Sequence, residues 1–379
     1  MDITLPGISL NVSNIVRLGS LISESIDDDD ESQRYQDEYR LALLDFTDSA
    51  IPLLQAAGWE NVKNRDDIII APLSGAMTNL IFCCSTTGKG TDQMENKLLL
   101  RVFGEGTETF FSRDEESSLF QNLSHFSEIQ PKIVKSFRNG RIEVFLDGYQ
   151  VLTAEKIRQK IIVTEIATKM LEFHKLQVDA PGRDGENYLW NLLFRWLKHA
   201  KTLCQNDDAN EARFAKVNLT DLETEINWLE NMIPKFIDSP IVFGHNDLQY
   251  GNIMISVTGA KICFIDFEYS GYVPRGYDIA NYFAEWAADY HNEIAPHALN
   301  YDTKYPTKEE RYHFYQSYDD KVAPEKLEQE VMAYALVNHM VWGIWGLIQA
   351  AKSNIDFDFL EYGMQRFLQY RVEKERYVS

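Results

Sequence analysis

The chain reads Gly244-His245-Asn246-Asp247-Leu248-Gln249-Tyr250-Gly251-Asn252, and shortly afterwards Ile262-Cys263-Phe264-Ile265-Asp266-Phe267-Glu268. Each polar run adjoins apolar residues of strand character. Ile241-Val242-Phe243, Asn252 to Val257 and Lys261 to Phe267 form a short β island in a stretch that is otherwise helical. Two such runs, in this order and at this separation, set Asn252 and Asp266 facing each other across a short hairpin, with Asp247 on the loop before it. His245 reads as a packed loop residue, because Asp247 holds the reactive position.

Working outward, Ile157 to His174, Trp190 to Leu203 and Leu219 to Phe236 carry apolar residues at helical spacing, and the chain beyond the β island reads as helix to its end. Val331 to Ala351 has no charged residue if His339 is neutral, and its length suits a membrane span. Asn338, His339, Gln349 and two glycines make a helix buried on all sides the better account. Upstream the pattern is β: Ile68-Ile69-Ile70, then Leu80 to Cys84 and Lys97 to Phe103, with a hairpin turning at Asn139-Gly140. A helix is expected from Arg113 to about Phe126, and another from Tyr39 to near Gly58. The run Asp27-Asp28-Asp29-Asp30-Glu31 reads as a solvated loop. The predicted organisation is α+β in three parts. Residues 1–40 form an appendage, 41–150 a small β-rich lobe, and 151–379 a larger helical lobe.

The spacing of Asp247 and Asn252 resembles the kinase catalytic loop H-x-D-x-x-x-x-N, and Asp266 stands where D-F-G has its aspartate. In such a loop the first aspartate accepts a hydroxyl proton. An asparagine and an aspartate supply hard oxygen ligands for Mg²⁺ on the nucleotide phosphates. The upstream lobe then needs a phosphate clamp. Ser74-Gly75-Ala76-Met77-Thr78-Asn79 is a turn between strands whose N–H groups suit phosphates, and equally an ordinary hairpin turn. Arg101, in an apolar strand, calls for an anionic partner. Glu116 in the following helix is one candidate, in competition with Asp114 and Glu115.

Composition narrows the field. Of 379 residues, 37 are basic and 58 acidic, a formal net charge of −21. That opposes nucleic-acid binding and docking on anionic membranes. Four cysteines without a C-x-x-C suggest reduced thiols in the cytosol. Asn11-Val12-Ser13 reads as a chance sequon, and no secretory signal is expected at the N-terminus.

The runs HNDLQYGNIMI, IDFEYSGYVPRGYDIANYFAEW and HMVWGIWGLIQA resemble the choline/ethanolamine kinase family from about residue 40 onward. The resemblance implies a protein-kinase-like two-lobed fold and a cytosolic homodimer. It also implies Mg²⁺-dependent transfer of the γ-phosphoryl group of ATP to choline or ethanolamine, the entry step toward phosphatidylcholine. Carried over by motif, Asp247 is the base and Asn252, Asp266 and Glu268 serve the metal. Arg101 and the Ser74–Asn79 turn hold phosphates, and Glu143, Val144 and Phe145 contact adenine through the backbone. Tyr250 departs from the acidic residue frequent at its position in the family, and Ala76-Met77 from the usual Gly-Leu.

A quaternary ammonium has no N–H donor, so aromatic faces and a carboxylate suit it. Trp342 and Trp345 share one helical face; Tyr290, Tyr362 and Phe357 add rings, and Glu285 the counter-charge. Alone, such a stripe reads as core; the resemblance turns it into a binding site. Trp286 and Tyr282 read as core. Glu285 to Tyr290 looks choline-preferring, whereas Gly106-Thr107-Glu108 and Arg113-Asp114 look like ethanolamine kinases. Aminoglycoside phosphotransfer and a catalytically inactive scaffold are the rival readings.

Overall fold

The computed structural model describes residues 29–73, 79–87, 97–103, 113–123, 126, 131–137, 140–185, 187–205, 212, 214–215, 217–259, 261–353 and 355–378. The chain forms two compact units, Met1–Thr107 with Pro131–Asp147, and Glu108–Gln130 with Gly148–Ser379.

The first unit carries helix α1 (Asp29–Ala56) and strands β1 (Ile68–Leu73), β2 (Asn79–Thr86), β3 (Lys97–Phe103), β4 (Ile133–Phe137) and β5 (Gly140–Val144). The strands form one antiparallel sheet in the order β1-β2-β3-β5-β4. Alternation sets its face: Ile68 and Ile70 are buried while Ile69 is exposed. Pro72 lacks an N–H and sits on β1, an edge strand, where that loss is tolerated. Phe46, Ala50, Leu53 and Leu54 of α1 close the core against Phe82, Leu98, Leu100 and Ile142. Asp29, Asp30 and Glu31 open α1, so the expected acidic loop is helix from Asp29 onward. Acidic residues suit a helix's first turn, next to the positive end of its dipole. Asp27, Asp28 and the sequon at Asn11 lie outside the described residues.

The second unit contains α2 (Arg113–Leu123), β6 (Tyr149–Val151), α3 (Lys160–His174), α4 (Tyr188–Gln205) and α5 (Leu219–Phe236). It continues with β7 (Ile241–Gly244), β8 (Ile253–Ser256), β9 (Ile262–Phe264), β10 (Gly271–Pro274) and α6 (Arg275–Ala284). The single turn α7 (Tyr301–Lys304), α8 (Lys308–Tyr318), α9 (Pro324–Lys352) and α10 (Phe359–Val378) complete it. The helix α2, placed by sequence with the small lobe, belongs here: Asn122 donates to the Asp179 carbonyl (2.6 Å) and Phe120 meets Phe267 edge-on. The β island gains two strands that the sequence pattern did not mark. Three-residue β6 pairs with β8, and β10 pairs with β7. The segment 288–300 is irregular rather than helical, with Asn292 accepting from the N–H groups of Ile294 and Ala295.

Helix α9 is long and apolar enough to cross a membrane, and 94% of its most apolar stretch is buried inside this unit. It packs against α4, α5, α6, α8 and α10. Glycines let α10 approach it: a Cβ on Gly346 would stand 2.8 Å from the Phe359 carbonyl oxygen and 3.0 Å from Cα of Gly363. That approach sets Tyr362 and Arg366 against the α9 side chains that matter below.

Candidate active site

The loop after β7 is held by a buried carboxylate. Asp278, on the first turn of α6, is 0% exposed. One of its oxygens accepts from the N–H of His245 (3.0 Å) and from Nε2 of His174 (2.8 Å). The other accepts from the N–H of Asn246 (2.6 Å). Burial pushes the Asp278 carboxyl up, but the hydrogen bond and charge of His174, with the charge of His245 and the Asn246 N–H, together hold the group below the usual aspartate range. A Cβ on Gly244 would come within 2.7 Å of Val273 and 3.2 Å of the Asp278 carboxyl carbon, so only glycine permits this approach. Asn281, one turn along α6, accepts from the N–H of Leu248 (2.7 Å). Asn246 is left-handed at φ 68°, a conformation asparagine tolerates, and its Nδ2 donates to the Tyr269 carbonyl. His245 is a packed residue, as expected. Burial pushes its imidazole down, and Nε2 lies 2.9 Å from the Ile265 carbonyl.

With its backbone fixed, the loop aims its chemistry. Asn252 donates Nδ2 to the Asp247 carbonyl (2.8 Å) and carboxylate (3.0 Å). The Asn252 carbonyl accepts from the N–H of Ile265, tying this loop to the one that carries Asp266. Asp266 is left-handed at φ 66°. Arg183, 1% exposed, donates to the carbonyls of Glu268 and Ser270 and braces that second loop. Asp247 is pushed well above the usual aspartate range by burial, then by the charges of Glu285, Asp266 and Glu268, against the opposing hydrogen bond from Asn252. Among the described residues, no three His, Cys, Asp or Glu side chains form a closed metal cage. The donors present are hard oxygens: Asp266, Glu268 and the Asn252 amide oxygen, whose Nδ2 is turned to Asp247. This set fits a small divalent ion that keeps water and phosphate ligands, as Mg²⁺ does.

The aromatic residues singled out by sequence are brought together beside this centre. Trp342 and Trp345 lie 5.4 Å apart between ring centres. Trp345 meets Tyr362 (6.0 Å), Tyr362 meets Phe357 (6.0 Å), and Phe357 meets Tyr290 (6.3 Å). Tyr250 stacks on Tyr290 at 6.0 Å. Tyr269, which sequence reasoning missed, joins the two halves: its hydroxyl accepts from Trp345 Nε1 (2.8 Å) and its ring lies 5.2 Å from Trp342. Glu285 corrects a simpler expectation. It is not a lone counter-charge, because Arg366 donates to its Oε1 (2.5 Å) and the Tyr290 hydroxyl to its Oε2 (2.6 Å). Trp286 and Tyr282 are buried core, as expected.

In the first unit, Arg101 is buried and has an acidic neighbour on β5. Its Nε lies 3.6 Å from Glu143 on β5, the carboxylate that Arg141 also contacts. The side chain of Glu116, the candidate partner on α2, lies outside the described residues. Glu143 and Val144, expected at adenine, lie on β5. β5 is an interior strand, so Glu143 faces Leu99 on one side and Ile133 on the other, and the Val144 N–H donates to the Lys132 carbonyl. Phe145 lies past the strand end, where its carbonyl accepts from the Asp147 N–H. Ser74, Gly75, Ala76, Met77 and Thr78 lie outside the described residues, and Asn79 opens β2.

Comparison with known proteins agrees with this geometry. Residues 70–371 match the family model for choline/ethanolamine kinase. A "probable choline kinase 2" of Arabidopsis thaliana is 42% identical over 333 residues, covering 86% of this chain and 91% of the relative. The crystal structure of a choline kinase from Cryptosporidium parvum superposes with a TM-score of 0.72 at 28% identity, covering 88% of this chain and 96% of that one. An ethanolamine kinase from Plasmodium vivax gives the same TM-score at 27% identity, with 98% and 97% covered. The chain belongs to the choline/ethanolamine kinase family.

Proposed function

We propose that the chain transfers the γ-phosphoryl group of ATP to the hydroxyl of choline, with weaker turnover of ethanolamine, and so supplies phosphocholine for phosphatidylcholine synthesis. One observation carries the reading: the Asp247 carboxylate, fixed by Asn252, lies within electrostatic reach of Glu285, around which the aromatic rings gather. An aminoalcohol has its cationic and hydroxyl ends two carbons apart, and this arrangement offers a place for each.

Asp247 accepts the hydroxyl proton as the alcohol oxygen forms its bond to the γ-phosphorus and the bond from that phosphorus to the β,γ-bridging oxygen breaks. Asn252 orients Asp247, and Asp278 fixes the loop that carries both. Asp266, Glu268 and the Asn252 amide oxygen would hold Mg²⁺, which when bound offsets the phosphate charge. The rings of Trp342, Trp345, Tyr290, Phe357 and Tyr362 hold the ammonium by its attraction to their π faces. Names of the relatives support the substrate class, and the aromatic residues support choline over a polycationic sugar, which needs many carboxylates. The test is ADP release with Mg²⁺-ATP and choline, ethanolamine or an aminoglycoside in turn. Choline is expected to give the highest kcat/KM; turnover of the aminoglycoside alone refutes the reading.

A further inference from the structure

Glu285 is 2% exposed and Arg366 0%. Each Glu285 oxygen already accepts a hydrogen bond, from Arg366 Nη2 at 2.5 Å and from the Tyr290 hydroxyl at 2.6 Å. Arg366 is itself held in place. Its Nε and Nη2 reach the Tyr362 hydroxyl at 3.1 and 2.8 Å, and its Nη1 reaches Asn338 Oδ1 at 3.4 Å. The guanidinium therefore balances the carboxylate charge. The hydroxyls of two box tyrosines are also engaged, one donating to Glu285 and one accepting from Arg366. Around this network stand the rings of Trp345, Phe357, Tyr290 and Tyr362.

We propose that the Arg366–Glu285–Tyr290 network makes the site selective for quaternary over primary ammonium groups, with Arg366 as a positioning residue that withholds the Glu285 carboxylate from the substrate. The inference rests on the aminoalcohol reading above and extends it to the choice of amine. A primary ammonium carries three N–H donors and is strongly hydrated, so it needs acceptors when it leaves water. A quaternary ammonium has no donor, loses less hydration and is satisfied by π faces. Engaging both carboxylate oxygens takes acceptor sites from the first, whereas the second, which donates no hydrogen bond, loses only part of a Coulomb attraction. If Glu285 served as a simple counter-charge, both amines would gain from it alike.

The experiment uses the full chain with Mg²⁺-ATP and compares kcat/KM for choline and ethanolamine in wild type, Tyr290→Phe and Arg366→Gln. Tyr290→Phe keeps the ring and frees one carboxylate oxygen, so it keeps the test open even if Arg366→Gln fails to fold. The choline-to-ethanolamine ratio is expected to fall about 10-fold in Tyr290→Phe, the worth of one charge-assisted hydrogen bond, through a lower KM for ethanolamine and with the KM for ATP unchanged. A ratio within twofold of wild type in Tyr290→Phe overturns the inference. So does a wild-type preference for ethanolamine, which leaves the aminoalcohol reading standing. Wild-type turnover of neither amine instead overturns that reading, and the inference with it.

Discussion

At the loop end of the site, burial and the charges of Glu285, Asp266 and Glu268 push Asp247 up, and an amide hydrogen bond opposes them. At the aromatic end, the buried Glu285 carboxylate is matched by a guanidinium and a phenol. One region gathers negative charge around a reactive group, and the other cancels it. The difference follows from what each end must receive. Under the proposed function a divalent ion brings positive charge to the first, whereas a quaternary ammonium at the second has no hydrogen to donate to a carboxylate.

The comparison is broken most severely by removing an acidic donor. Asp266→Ala is expected to lower kcat about 1,000-fold or more, because metal-held charge is worth several kcal/mol and each 1.36 kcal/mol is tenfold. Initial rates across a Mg²⁺ titration check this. Asp278→Ala should act on the same loop through its backbone, costing about 3–5 kcal/mol of stability by orphaning a buried network. Because the folded carboxyl lies below the ordinary aspartate value of about 3.9, its contribution is complete above that pH and fades as pH falls through the lowered folded value. Denaturant melts of both proteins should therefore converge only in strong acid. Trp342→Leu tests the other end. The KM for choline should rise about 2- to 30-fold, the range of a cation–π contact worth about 0.5–2 kcal/mol, with the KM for ATP unmoved. The smallest effect is expected for Lys201→Ala, which removes a partly exposed pair with Glu223. Such a pair is worth about 0.2–1 kcal/mol, and kinetics for both substrates should stay as in wild type.

Asp247, Asn252 and Asp266 were legible because their spacing along the chain is itself the geometry: a tight turn and a short hairpin bring them together. Helix Leu219–Phe236 and strand Lys97–Phe103 were legible from periodicity alone. Asp278, Asn281, Arg183 and Arg366 were not, because their partners come from distant segments and a single polar residue in a helix or turn carries no pattern. Arg366 lies on α10, yet its carboxylate partner follows α6. The pairing of Glu143 on both sides of β5 was not legible either, because no pattern tells the last residues of a strand from the linker after it.

The most direct test of the account is phosphorus NMR of the full chain with Mg²⁺-ATP and choline, for wild type and for Asp247→Asn. Wild type should form phosphocholine in step with ADP, and the variant should be slower by about 100- to 10,000-fold, the usual contribution of a positioned general base, while still binding ATP. A variant that makes phosphocholine within tenfold of the wild-type rate would contradict the role given to Asp247.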